Sequence, residues 1–361
     1  MSHGGDLWPV LQEQFLQKDQ ILDFSVDLNP LGPPPILGSL LQEAWQQIQW
    51  YPEPTYRRFR EAVAQREGID PVSVLPGNGT ADLIHLVSRW KAGSRAAVVV
   101  PTFTEYERAV IADGGEIIPW RLQESLQFHP DSLAGLDSMK GIRILFICNP
   151  NNPTGTLWTQ DQILPWVEFC ERNGILMVVD EAYMDLVGME LQASVVSWIR
   201  RYRQLLVLRS LTKSFSIPGL RVGYLAASPE VVQSLCEMQP PWGMNGLATF
   251  VGSQLMQEQE FLRHSRERLH QFRRSFWEGL CSVDGLQPFP SSANFFLCRV
   301  TDPDRSSRQL TDELRERGIL IRACNDFTGL EKGRFIRVAV RRPDENARFI
   351  KALNELLTHA G

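Results

Sequence analysis

Short apolar segments alternate with helical patterns over most of the first two thirds of this chain. Five such segments are apparent, at residues 97–100, 144–148, 176–179, 205–208 and 223–226. Helical patterns lie between them, for example at 161–172. Strands that are apolar throughout and are joined by helices indicate a mainly parallel sheet with both faces covered. The sequence therefore predicts an α/β fold.

The remaining segments suggest how the domains are organised. Residues 1–35 are rich in proline and glycine and are expected to form an extended arm. A helical pattern at 245–280 leads into predicted strands at 294–300, 319–322 and 335–340 and a helix at 344–358. Because 361 residues exceed what one hydrophobic core usually serves, we expect a large domain over 36–240 and a connecting helix with a small α+β domain over 241–361.

Composition argues against several classes of protein. The net charge of -5 gives no sign of nucleic-acid binding. No apolar run approaches a membrane span, and the first residues lack the order of a signal peptide. The six cysteines are scattered without a Cys-x-x-Cys pair, so we interpret them as reduced core thiols of a cytoplasmic protein and expect no metal site.

One lysine is flanked by groups that suit an anionic aldehyde. In the segment 210–223, Lys213 follows Ser210 by three residues and precedes Arg221 by eight. A lysine amine can condense with an aldehyde once cationic neighbours or desolvation favour its neutral form. A hydroxyl and a guanidinium fork could bind a phosphate on the same molecule. The alternative is an ordinary surface lysine on a loop.

Polar residues also follow two of the predicted strands, where open α/β sheets bind ligands. Asn152 follows the strand at 144–148, and Asp180 and Tyr183 follow the strand at 176–179. Upstream, Gly79 and Thr80 open a helical pattern whose free N–H groups could bind an anion. The alternatives are a helix cap for Asp180, a plain loop around Asn152, and an ordinary turn at Gly79.

Together these motifs resemble the fold-type I pyridoxal-phosphate enzymes, the aminotransferase superfamily. The resemblance implies a seven-stranded sheet, a homodimer, and pyridoxal 5'-phosphate bound covalently to Lys213. Asp180 would contact the pyridine nitrogen, Asn152 and Tyr183 the ring hydroxyl, and Phe103 would stack on the ring. The implied phosphate contacts are Gly79, Thr80, Ser210, Arg221 and, from the neighbouring subunit, Tyr51.

The resemblance also assigns Arg337 to the substrate α-carboxylate. An arginine in an apolar strand is costly to bury without an anion, and the alternative is a structural ion pair. A third anion is implied because Arg322 also lies in an apolar setting. We expect Arg322, His3 and Asn29 to bind a substrate phosphate. His3 could instead be an uninvolved residue near a terminus, and Arg322 could pair with Asp326.

Several segments resemble the threonine-phosphate decarboxylases of cobalamin biosynthesis in particular. The matching segments are 3–5, 23–25, 29–32, 208–213, 241–245, 319–324 and 337–341. The resemblance implies decarboxylation of O-phospho-L-threonine to (R)-1-amino-2-propanol O-2-phosphate. At residues 26–28, Val-Asp-Leu stands where the resemblance predicts alanine, asparagine and isoleucine, a departure that bears on the fine substrate contacts.

Two other functions are compatible with parts of this pattern. Histidinol-phosphate aminotransferase shares the cofactor residues, a phosphorylated substrate and an arginine at the position of Arg322. A non-enzymatic effector domain of a transcription regulator would need a DNA-binding segment, for which the arm of 35 residues is expected to be too short. The combination of Lys213, Asp180 and Arg337 also favours an enzyme.

Overall fold

The computed structural model describes residues 4–5, 21–130, 141–188, 191 and 193–357. Its strands, in chain order, are β1 (Leu22–Asp23), β2 (Val74–Gly77), β3 (Arg95–Val100), β4 (Glu116–Arg121), β5 (Ile142–Cys148), β6 (Leu176–Asp180), β7 (Leu205–Ser210), β8 (Gly223–Ala227), β9 (Leu286–Pro288), β10 (Phe295–Val300), β11 (Ile319–Leu320), β12 (Arg322–Ala323) and β13 (Phe335–Ala339).

The helices of the described residues are α1 (Leu37–Trp45), α2 (Arg57–Glu67), α3 (Thr80–Trp90), α4 (Glu105–Ala112), α5 (Gln160–Asn173), α6 (Leu211–Ser214), α7 (Pro229–Cys236), α8 (Gly246–Leu255), α9 (Gln259–Cys281), α10 (Ser307–Glu316) and α11 (Pro343–Leu357). Within this part of the chain, no helix is long and apolar enough to cross a bilayer.

The predicted mainly parallel sheet is confirmed. It has seven strands in the order β2-β8-β7-β6-β5-β3-β4. Strand β8 runs antiparallel to the other six strands. Alternate residues of the central strands enter different cores. Val98 and Phe146 pack on one face, whereas Val99 and Ile147 pack on the other. Both faces are therefore buried, which explains the continuous apolar runs in the sequence.

Two strands of this sheet were missing from the sequence prediction. Strand β4 lies at an edge of the sheet, is largely exposed and contains Pro119. Strand β2 contains Pro76 and Gly77. Proline and glycine are depleted in strands and confined to special positions, so neither segment shows the expected apolar run.

A second core forms around the four-stranded sheet β12-β13-β10-β9 and helices α9, α10 and α11. The described end of the arm belongs to this part of the molecule. Strand β1 pairs in parallel with β11, Phe24 lies in the second core, and the Phe24 carbonyl accepts a hydrogen bond from the Ala339 amide at 2.8 Å. The arm thus brings residues 25–27 to the junction between the two sheets.

Three details correct the sequence prediction. The helical pattern at 245–280 forms two helices, α8 and α9, separated by residues 256–258. The predicted strand at 319–322 is divided at Ile321, because β11 pairs with β1 and β12 pairs with β13. All six cysteines are free, but Cys236 and Cys281 are exposed rather than in the core.

Candidate active site

A cavity of about 440 Å³ opens where the carboxyl ends of β5, β6 and β7 meet the second sheet. Polar residues from both parts of the molecule line it. The structure brings together these predicted site residues: Thr80, Phe103, Asn152, Asp180, Tyr183, Ser210, Lys213, Arg221, Arg322 and Arg337. This is the sheet edge at which ligands bind in open α/β folds.

Lys213 lies on the short helix α6, directly after β7. Its ammonium group forms an ion pair with Asp27 and lies 5.7 Å from the centre of the Tyr183 ring. The lysine amine lies just after the carboxyl end of β7, beside an aromatic ring, and can react with an aldehyde that enters the cavity.

Asp27 is the centre of a buried charge cluster that the sequence interpretation had not assigned to the site. Its Oδ2 accepts a hydrogen bond from the Tyr183 hydroxyl at 2.5 Å and lies 2.9 Å from Arg337 Nη1. Burial alone would raise the pKa of Asp27, but the charges of Arg337 and Lys213 outweigh it and hold that pKa well below its usual range. The only sequence signal was the departure at residues 26–28.

Arg337 extends from β13 into the cavity with one donor unused. Its Nη1 donates to Asn152 Oδ1 at 2.7 Å and its Nη2 donates to the Ser25 carbonyl at 2.8 Å. Its buried Nε has no hydrogen-bond partner among the described residues. The structural ion pair considered from the sequence is present, with Asp27, yet a buried N–H remains that could donate to a carboxylate.

Asp180 ends β6 and is buried beneath the cavity. It accepts hydrogen bonds from the Tyr106 hydroxyl at 2.7 Å and the Ala182 amide at 3.0 Å. Burial raises its pKa to about 6, against the lowering effect of these hydrogen bonds. A buried carboxyl of this kind gains from a cationic partner such as a protonated ring nitrogen. The sequence interpretation missed Tyr106, whose ring meets Phe103 edge to face at 5.7 Å.

The N-terminus of α3 forms an anion cradle at the other end of the cavity. Its N-cap residue, Gly79, has φ +81° and provides no side-chain cap, so the first N–H groups of the helix remain available to an anion. A Cβ on Gly79 would lie 2.6 Å from Arg221 Nη2. The Ser210 and Thr212 hydroxyls, 2.7 Å apart, complete the cradle.

These groups fit pyridoxal 5'-phosphate. The cradle suits its phosphate, the Asp180 carboxyl suits its pyridine nitrogen, Lys213 suits its aldehyde, and Phe103 lines the space for its ring. Such a ligand would explain the space that Gly79 leaves beside Arg221. It would also explain why Asp180 is buried with hydrogen bonds but without an ion pair among the described residues. When bound, this cofactor supplies an electron sink for a bond broken at the substrate α-carbon.

Arg322 lines the cavity and also makes the alternative ion pair that the sequence left open. Its Nη2 lies 2.7 Å from both carboxylate oxygens of Asp326, and its guanidinium lies 5.2 Å from the centre of the Phe327 ring. Arg322 is buried, while the Asp326 side chain is partly exposed. The ion pair therefore holds the guanidinium at the cavity wall.

Among the described residues, Asn29 and Tyr51 were predicted for the site but do not line this cavity, and Gly79 adjoins it only through the cradle. Asn29 is a correction: its amide donates to the Ser214 carbonyl and the Ser265 hydroxyl, both at 2.8 Å, so both N–H bonds are used away from the substrate. Tyr51 is 79% exposed and packs on Trp242 with ring centres 4.7 Å apart. His3 lies outside the described residues.

Comparison with known proteins gives full-length similarities. The chain is 32% identical over 360 residues to a threonine-phosphate decarboxylase of Salmonella typhimurium, covering 99% of this chain and 97% of that protein. Two solved structures agree in fold. One is the histidinol-phosphate aminotransferase of Clostridium acetobutylicum (TM-score 0.87, 27% identity, 94% of this chain and 99% of that chain covered).

The other is the L-threonine-O-3-phosphate decarboxylase of Porphyromonas gingivalis (TM-score 0.84, 26% identity, 94% of this chain and 100% of that chain covered). The family profile described as aminotransferase class I and II matches residues 20–353. Lys213, Asp180 and the anion cradle all lie within that match. The chain is an enzyme of the aminotransferase class I and II family.

Proposed function

We propose that this enzyme uses pyridoxal 5'-phosphate to decarboxylate O-phospho-L-threonine, giving (R)-1-amino-2-propanol O-2-phosphate. One observation carries the proposal. Arg322 and Arg337 are direct cross-strand partners on β12 and β13, and both are buried and line the cavity. Like charges directly opposite each other destabilise a sheet. Each arginine has one carboxylate partner, Asp326 for Arg322 and Asp27 for Arg337. A small substrate with a carboxylate and a phosphate would supply one further anion to each.

The chain's own residues would divide the chemistry among them. Arg337 holds the carboxylate through its unused Nε, and Arg322 holds the phosphate. Asp180 keeps the ring nitrogen protonated, which favours the build-up of negative charge at the α-carbon. After carbon dioxide leaves, the Lys213 amine, which lines the cavity, would return a proton to that carbon. The family resemblance and the 32% identical relative support this assignment of roles.

Histidinol-phosphate aminotransferase is the second candidate, because a structure with that activity matches at TM-score 0.87. Histidinol phosphate has a phosphate but no carboxylate. It would therefore leave Arg337 without a substrate anion, although a 2-oxo acid could supply one in the second half of transamination. Two buried arginines in one cavity thus favour the phosphorylated amino acid.

An exposed aromatic surface supports the further proposal of a homodimer. Its members are the exposed side chains of Trp45, Ile48, Trp50, Tyr51 and Trp242. Four of them lie within residues 45–51, and Tyr51 packs on Trp242; exposed apolar side chains grouped in this way are typical of interaction sites. Tyr51 is exposed and is not among the residues that line the cavity of its own chain, as expected if it reaches the cofactor phosphate of a neighbouring subunit.

The decisive experiment supplies both substrates to the purified, cofactor-loaded protein. With O-phospho-L-threonine we expect stoichiometric release of carbon dioxide and the amino-propanol phosphate. With histidinol phosphate and 2-oxoglutarate we expect little or no glutamate. Borohydride reduction should fix the cofactor on Lys213, as read by peptide mass. Rapid glutamate formation without carbon dioxide release would refute the decarboxylase.

A further inference from the structure

We propose that Asp27 determines reaction specificity by placing a fixed negative charge beside the bound substrate carboxylate. This charge weakens binding of the carboxylate in the ground state and so favours its departure as neutral carbon dioxide. The proposal rests on the function proposed above. It concerns a residue that stands where the family resemblance predicts an uncharged asparagine.

The position of Asp27 is fixed by three donors from separate segments of the chain. Oδ1 pairs with Lys213 on α6. Oδ2 accepts the Tyr183 hydroxyl, just after β6, and pairs with Arg337 on β13 at 2.9 Å. The side chain is only 3% exposed, so water cannot screen its charge effectively. Arg337, the larger of the two charge effects that lower the pKa of Asp27, stays beside it when the cofactor engages Lys213.

The single positive charge of Arg337 would be shared between Asp27 and the substrate carboxylate. Once the cofactor engages Lys213, which pairs with Asp27 in the described structure, the positive charge of Arg337 is the one that offsets Asp27. The Nη1 and Nη2 atoms of Arg337 donate to Asn152 and to the Ser25 carbonyl. A substrate carboxylate that uses the remaining Nε places two carboxylates on one guanidinium. Like charges at this separation repel. The binding energy of the substrate phosphate, which is held at Arg322, offsets this repulsion between the two carboxylates.

Bond breaking removes the repulsion. The bond between the α-carbon and the carboxylate carbon breaks, and its electron pair stays with the α-carbon. Carbon dioxide leaves without charge, and the α-carbon takes up one proton. The negative charge beside Asp27 therefore disappears during this step. Breaking the bond to the α-hydrogen would leave both carboxylates in place, so Asp27 favours decarboxylation over proton removal.

The test compares two ligands that differ only by a carboxylate, 3-phosphooxybutanoate and isopropyl phosphate. Neither has an amine, so neither reacts with the cofactor, and calorimetry on the loaded enzyme measures binding alone. The wild-type enzyme should bind the two with similar affinity, despite the arginine at the site. A wild-type preference of tenfold or more for the carboxylate ligand would overturn the proposal without any variant.

The Asp27→Asn variant then removes the charge while keeping a similar shape and an oxygen acceptor for Tyr183. We expect it to bind 3-phosphooxybutanoate about tenfold more tightly and isopropyl phosphate unchanged. With O-phospho-L-threonine, both KM and kcat should fall, which is the signature of lost ground-state destabilisation. An unchanged or weaker affinity for the carboxylate ligand, or an unchanged kcat, would contradict the proposal.

Asp326→Asn is the matched control, because it removes the same charge beside Arg322. Its effect should be equal on both ligands, since both carry the phosphate. A selective effect on the carboxylate ligand would contradict the separation of the two anion sites. If the wild type releases no carbon dioxide from O-phospho-L-threonine, the proposed function fails, whereas the ligand pair still measures the effect of Asp27 at Arg337.

Discussion

At the residue scale, the site is dominated by charged groups that are buried in different electrostatic surroundings. Asp27 has two cationic partners, and its pKa is lowered. Asp180 has hydrogen bonds from Tyr106 and Ala182 but no ion pair among the described residues, and burial raises its pKa to about 6. The two carboxyls are thereby suited to different roles, the first as a permanent anion and the second as the partner of a ring nitrogen.

The raised pKa of Asp180 predicts a pH dependence of stability. Between its ordinary value of 3.8 and about 6, the folded cofactor-free protein holds the Asp180 proton more tightly than the unfolded chain. The contribution of Asp180 to stability is thus greatest below about pH 4 and is lost as the pH rises to about 6. The free energy of unfolding, wild type minus Asp180→Asn, should fall by roughly 2 kcal/mol between pH 4 and pH 7.

Urea unfolding at several pH values measures this difference. The exposed Asp284 provides a control, since Asp284→Asn makes the same chemical change at the surface of the protein. Loading the protein with pyridoxal 5'-phosphate should abolish the fall, because the protonated ring nitrogen gives Asp180 a cationic partner. A difference that stays constant from pH 4 to pH 7 would show that Asp180 is ionised throughout.

At the scale of single elements, the phosphate cradle depends on the first turn of α3. Gly79 has φ +81°, and a Cβ there would meet Arg221 at 2.6 Å. Gly79→Ala should therefore both strain the backbone and displace the guanidinium, with a loss of at least about tenfold in affinity for pyridoxal 5'-phosphate, or roughly 1.4 kcal/mol. Absorbance titration of the cofactor-free protein measures this affinity.

Gly93 offers a matched control for this substitution. It also has a positive φ, +71°, but a Cβ there would meet nothing within 4 Å. Gly93→Ala should cost stability through backbone strain and leave the cofactor affinity unchanged. Equal losses of affinity in both variants would mean that the effect is general destabilisation, and Gly79 would then have no particular role in the cradle.

Local sequence patterns predicted the central strands and the polar residues at their ends, but not the contacts between distant segments. Central strands such as β6 are buried on both faces, so their apolar runs were visible, and the polar residues at their ends, such as Asp180, could be placed at one edge. Tyr106 and Asp27 could not be assigned, because their contacts join residues 74 and 156 positions apart. No local pattern encodes such a contact. The prediction that Asn29 binds the substrate phosphate was wrong for a related reason, since its hydrogen-bond partners Ser214 and Ser265 lie on helices distant in sequence.

At the scale of the whole molecule, the position of Tyr51 predicts active sites shared between subunits. The residue is exposed and does not line the cavity of its own chain. We expect a dimer by light scattering, and we expect Lys213→Ala and Tyr51→Phe each to have little activity alone. A mixture of the two should regain part of the activity after subunit exchange, because one hybrid site carries both native residues. Demonstrated exchange without any recovery would contradict the shared site.

The pairing of β1 with β11 has a consequence for the order in which the protein is built. Asp27 is made early, but Arg337 and the Ser25 carbonyl that it binds are separated by 312 residues. The seven-stranded sheet, whose last strand ends at Ala227, can form on the ribosome while the C-terminal third is still being translated. The cofactor end of the cavity can thus be complete before the substrate end exists, and residues 22–27 reach their final positions only after strands that are translated later have formed.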